Sequence, residues 1–119
     1  MAVFADTLKR VVSRVPELQV VMVMGTDGIP IEKIVVSADP NLDAVAAEYT
    51  TLLRASVAAA ADTGLGDLRE LAEVTEKMTA LLMAITPEYF LFAALAPGAV
   101  AGRARFEMRV ASLALEKEF

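Results

Sequence analysis

The sequence predicts an α+β fold in which helices cover both faces of a sheet, in the order helix, two strands, long helix, three strands, helix. Three observations carry this. Gln19 to Met24 reads QVVMVM, apolar at consecutive positions, so both faces of that strand meet protein. Leu42 to Thr63 is a long alanine-rich stretch with helical periodicity, opened by Pro40 and closed by Gly64. Three strand-like runs separated by short breakers come next, before periodicity returns to helical at the C-terminal end.

At 119 residues the chain fits one domain, 1–119, able to bury a core without disulfides. It has neither Cys nor His, which removes disulfides, thiolate metal sites, cysteine nucleophiles and the commonest acid/base group. Most enzyme classes are thereby disfavoured, and no cofactor or metal is expected. A net charge of -5 and a pI near 4.7 oppose nucleic-acid binding, which needs clustered Lys and Arg. The N-terminal segment MAVFADTLKR lacks the order of a secretory signal, so a cytoplasmic protein is expected.

The first helix is read from Phe4, Leu8, Val11, Val12 and Val15 at helical spacing, with Asp6, Lys9, Arg10, Ser13 and Arg14 on the other side, ending near Pro16. Gln19–Met24 and Ile29–Val36 are two strands joined by a tight turn in which Asp27 bonds back to the backbone and Gly28 takes positive φ. Asp39 is placed to cap the long helix and Pro40 to occupy its first turn. Strands are expected at 68–75, 78–85 and 89–95, an antiparallel meander whose first member carries Arg69, Glu70, Glu73 and Glu76, the charge density of an edge strand. The segment 78–102 is apolar enough to invite a membrane-helix reading, but Thr86, Pro87 and Glu88 at its middle suit a turn between strands and oppose insertion in a membrane. The closing helix spans 99–117, with Phe106, Val110 and Leu113 on one side and Ala104, Met108, Ala111 and Leu115 on another; the second stripe is expected to meet the first helix.

The long helix has two faces. Leu42, Val45, Ala46, Tyr49, Leu52, Leu53, Val57 and Ala60 gather in an arc wide enough to cover a sheet. Opposite lie Ala44, Ala47, Thr51, Ala55, Ala58 and Ala59, small and nearly flat, with Glu48 and Asp62 nearby. Alanines are good helix formers that a surface can use freely, yet small side chains also let a second helix approach closely, as in a two-fold dimer.

No catalytic motif emerges. GTDG lacks the Lys and hydroxyl of a phosphate loop, TGLGD lacks the third glycine of a dinucleotide fingerprint, and both read as turns. Glu70 with Glu73 is a solvated edge rather than an acid/base couple, and no serine has a histidine to activate it. Six methionines read as adaptable core filling.

The element order, the hairpin VVMVMGTDGIPIEKIVV and the closing AGRARFEMRVASLAL resemble the roadblock family, the dynein light chain type of domain that includes the bacterial MglB-type regulators of small GTPases. The resemblance implies a roadblock/profilin-like sandwich: a five-stranded antiparallel sheet with the long helix on one face and the two terminal helices on the other. It implies a homodimer in which the long helices meet and the third strands pair edge to edge. Carried onto this chain, it places Ala44, Ala47, Thr51, Ala55 and Ala58, with Leu68, Glu70, Ala72 and Val74 of the third strand, in the dimer interface. Partner contacts would then fall on Glu48, Arg54 and Asp62. The function implied is a non-catalytic regulator or scaffold of a small Ras-like GTPase that modulates its GTP hydrolysis. Arg54 is the natural trans-acting arginine, but MglB-type regulators are understood to rearrange the GTPase instead, and the bland reading of Arg54 is a solvated helix residue or a surface ion pair. Two alternatives stand beside this: a light-chain-type adaptor presenting a helix groove to a partner peptide, and a small-molecule sensor with a cavity lined by Met22, Met24 and Met83.

Overall fold

The computed structural model describes residues 2–37 and 41–119. Its element order is α1 (Ala2–Arg14), β1 (Leu18–Gly25), β2 (Pro30–Val35), α2 (Leu42–Asp62), β3 (Glu70–Val74), β4 (Thr79–Thr86), β5 (Tyr89–Leu95) and α3 (Gly102–Glu116). The order expected from the sequence is the order observed. The capping roles assigned to Asp39 and Pro40 lie outside the described residues; the residue preceding α2 is Asn41.

The five strands form one sheet in the order β2-β1-β5-β4-β3, with every neighbouring pair antiparallel. The alternation of side chains along β1 decides the layers. Val21 and Val23 join the terminal helices' core with Phe4, Leu8, Val11, Met108, Ala111 and Leu115. Val20, Met22 and Met24 point the other way, into the α2 core with Leu42, Ala46, Leu53, Phe90 and Phe92. That is why QVVMVM has no polar face, and why fully burying each of its large side chains contributes about 1.5–3 kcal/mol.

The β1–β2 turn forms as its residues dictate: Asp27 Oδ1 accepts from Ile29 N at 3.0 Å, and Gly28 sits at φ 90°, a region that a Cβ would penalise. In the apolar 78–102 segment, Pro87 and Glu88 make a two-residue turn between β4 and β5, braced by Thr86 Oγ1 accepting from Glu88 N and Tyr89 N at 3.2 Å each. Among the described residues no helix is long and apolar enough to cross a membrane.

Two packing expectations need correction. Val57, assigned to the covering arc of α2, is 46% exposed, and beyond Leu53 the helix buries no residue, so its C-terminal half overhangs the sheet. Thr50 is buried in its place, its hydroxyl donating to Ala46 O at 2.9 Å. Met22 and Met24 lie in the α2 core while Met83 lies in the opposite one, so no single cavity is lined by all three, which removes the basis of the sensor reading.

Candidate functional site

The α2 face turned away from the sheet is open. Ala44, Ala47, Thr51, Ala55 and Ala58 are all exposed, as are Glu48, Arg54 and Asp62 along its borders. A side chain that ends at Cβ leaves the backbone within reach of whatever packs on it. Beside this face runs the outer edge of β3, which among the described residues pairs only with β4 and has no strand on its other edge.

Several side chains fix this surface in place. Tyr49 on α2 donates its hydroxyl to Glu73 Oε1 on β3 at 2.6 Å while its ring lies 6.2 Å from that of Phe92. The hydrogen bond to the Glu73 carboxylate, with partial burial adding to it, pushes the Tyr49 phenol up to about 12. Lys33 of β2 grips Asp43 in the first turn of α2 at 2.9 Å. Arg54 donates through Nη1 to the Thr26 carbonyl in the β1–β2 turn, tying the overhanging half of α2 to the hairpin. The structure thus gives Arg54 a backbone partner, where the sequence suggested solvent or an acidic side chain.

β3 is shorter than expected and its candidate residues divide. Glu70, Ala72 and Val74 pair with Met83, Leu81 and Thr79 on the terminal-helix face, whereas Leu68 precedes the strand and packs into the α2 core. Glu70 is not a free edge carboxylate: it accepts from Arg105 Nε at 2.7 Å and Arg109 Nη2 at 3.1 Å. Hydrogen bonding to Arg105 holds its carboxyl below the usual value. Glu73 faces the opposite side, three residues on along an alternating strand, so the two carboxylates cannot form a couple.

Two features escaped the sequence reading. The first is the Tyr49–Glu73 bond, whose signal was a tyrosine inside an apolar helix arc, where the phenol needs a partner. The second is an open groove of about 340 Å³ at the end of the sheet where β3 stops short of β4, lined among others by Val57, Leu68, Arg69, Thr86, Arg109 and Leu113. No cluster of three or more Asp or Glu able to hold a metal occurs among the described residues.

A family model for the Roadblock/LC7 domain matches residues 4–96, from α1 through β5. The chain belongs to the Roadblock/LC7 family. Solved structures agree on the Roadblock/LC7 fold. The gliding protein MglB from Thermus thermophilus is similar with a TM-score of 0.86 at 17% identity, covering 98% of this chain and 87% of that one. Myxococcus xanthus MglB gives 0.86 at 15% identity, covering 99% and 88%. MglC from Myxococcus xanthus is similar at 30% identity with a TM-score of 0.72, covering 98% of this chain and 99% of that one. A search of curated proteins finds no match. The Roadblock/LC7 match ends before α3, so the closing motif AGRARFEMRVASLAL lies outside it.

Proposed function

We propose that this Roadblock/LC7 domain is a homodimeric, non-catalytic regulator or scaffold that binds a small Ras-like GTPase and modulates its GTP hydrolysis. The observation that carries the reading is the uncovered alanine face of α2 lying beside the open edge of β3, in a chain of this family. Two copies meet there, α2 on α2 and β3 on β3, burying on the order of 1,200–2,000 Å² in total. The β3 contribution is through its backbone edge, because Glu70 is engaged by α3 and Leu68 by the core. The GTPase then contacts the α2 borders, where Glu48, Arg54 and Asp62 stand. Arg54 already holds Thr26 O, which supports a regulator that reshapes its partner over one that inserts an arginine.

The first experiment is sedimentation of the wild type at micromolar concentration, where a dimer is expected and a monomer refutes the self-association. Ala58→Arg places a guanidinium in the interface and is expected to give a folded monomer. The second is single-turnover GTP hydrolysis by candidate Ras-like GTPases with and without the protein. Binding with a changed rate supports regulation; binding without a change selects the adaptor; no binding to any candidate sinks the GTPase reading.

A further inference from the structure

β3 has little apolar hold on the rest of the molecule. Of its residues only Leu71 packs against a core, that of α2, while Ala72 is exposed and Val74 is 76% exposed. A short edge strand anchored so lightly is the kind of segment that opens first. Two carboxylates supply the grip that the apolar residues do not, one toward each helical layer. Glu73 accepts from the Tyr49 hydroxyl of α2 at 2.6 Å, and Glu70 accepts from Arg105 Nε and Arg109 Nη2 of α3 at 2.7 and 3.1 Å. Both carboxylates are partly buried, and hydrogen bonds to an ionised acceptor are among the stronger ones. β3 is clamped from both faces.

The backbone shows what the clamps hold ready. Ala84 N donates to Arg69 O and Thr75 N to Met78 O. By antiparallel alternation Leu71 and Glu73 also turn their N–H and C=O groups to β4, so those of Glu70, Ala72 and Val74 face outward. A two-fold axis at Ala72 sets Glu70 of each copy opposite Val74 of the other, the register that uses all three. Pairing through so short a stretch depends on its shape, because any ordering of the strand on association is subtracted from the affinity.

We propose that Glu70 and Glu73 are positioning residues for self-association, an inference that rests on the dimer through α2 and β3. With Tyr49, Arg105 and Arg109 they hold β3 at the height and pitch at which its outer edge pairs with a second copy. Neither carboxylate has to touch that copy, since each is engaged within its own chain. The Tyr49–Glu73 bond joins the two elements through which the copies meet, so it also fixes the spacing between the helical and the strand halves of the interface. The second clamp comes from α3, beyond the residues 4–96 that match the Roadblock/LC7 model.

Sedimentation equilibrium of the full-length protein measures the dimer dissociation constant. Tyr49→Phe, Glu73→Ala and Glu70→Ala are each expected to raise it about tenfold or more. Tyr49→Phe combined with Glu73→Ala is expected to be no worse than either alone, because both remove one bond. Glu73→Gln, whose amide oxygen still accepts from the phenol, is expected to keep most of the affinity. Hydrogen exchange separates positioning from direct contact when it is read on Ala58→Arg, at a concentration where sedimentation shows a monomer. There Glu70→Ala and Glu73→Ala are expected to speed exchange at positions 71 and 73 while β1 and β5 stay protected. A wild type that sediments as a monomer overturns the dimer and this proposal with it. A wild-type dimer unmoved by the three single substitutions overturns this proposal alone. So does weaker dimerisation without faster exchange at 71 and 73, which would put the carboxylates in contact with the other copy, and so does loss of protection throughout the sheet, which would make them general stabilisers.

Discussion

Tyr49 and Gly64 show how single residues hold the α2 surface in place. Because the Tyr49 phenol is stabilised in its neutral form by Glu73, its folded value, about 12, lies above the ordinary value of 10.0. The contribution is therefore fully present below pH 10 and is lost as pH rises from there through about 12. Alkaline titration of tyrosinate absorbance is expected to place the component missing from Tyr49→Phe near 12, and Glu73→Gln is expected to bring it back toward the ordinary value. A component at 10 in the wild type would contradict the bond. Glu70 runs the other way: its depressed carboxyl contributes stability above its ordinary value, and that contribution is lost as pH falls through the folded one. Gly64, at φ 73°, ends α2 in a Schellman arrangement, with Leu65 N donating to Ala60 O and Gly64 N to Ala61 O. Gly64→Ala forces a Cβ into the left-handed region and is expected to cost about 1 kcal/mol, read from denaturant midpoints. The glycine was legible in the sequence as a helix terminator. The partner of Tyr49 was not, because nothing in linear spacing relates residue 49 to residue 73 before β3 is placed at the sheet edge.

Among the elements, α2 is the one whose periodicity and packing part company. The helical arc that begins at Leu42 points at the sheet as far as Leu53, but a straight helix crossing a twisted sheet leaves it, so Val57 and Ala61 finish over the groove rather than over a strand. Two truncations measure the departure: Leu53→Ala is expected to cost about 2–4 kcal/mol, and Val57→Ala under about 1 kcal/mol. Equal costs in urea unfolding would mean that the whole arc is buried. β1 and β4 were readable because both their faces are apolar. β3 was readable as an edge from its charges, but its length was not, since Leu68 serves the core without joining a strand. α3 was readable in part: its stripe of Ala104, Met108, Ala111 and Leu115 meets α1 as expected, whereas Phe106 and Leu113, which look as much like core from sequence, are exposed, because only the position of the sheet decides which stripe is covered.

For the whole molecule, the layer assignment rests on an element beyond the Roadblock/LC7 match. α3 supplies Ala104, Met108, Ala111 and Leu115 to the same core as Leu8, Val11 and Leu91. Met108→Ala is expected to lower stability by about 2–5 kcal/mol, and a chain truncated after Pro97 is expected to lose its cooperative thermal transition. Retention of that transition would show α3 to be an accessory rather than part of the fold. The layers themselves followed from consecutive apolar residues in QVVMVM, whereas the strand order did not, because no local signal announces that β1 pairs with β5. That pairing has a consequence during synthesis. Val21 meets Ala93, so at roughly 5–20 residues per second the most apolar strand waits on the order of 4 to 14 seconds for its second neighbour. Until then it has only β2 beside it, and the nascent chain offers a sticky, unmatched ribbon to chaperones and to other copies of itself.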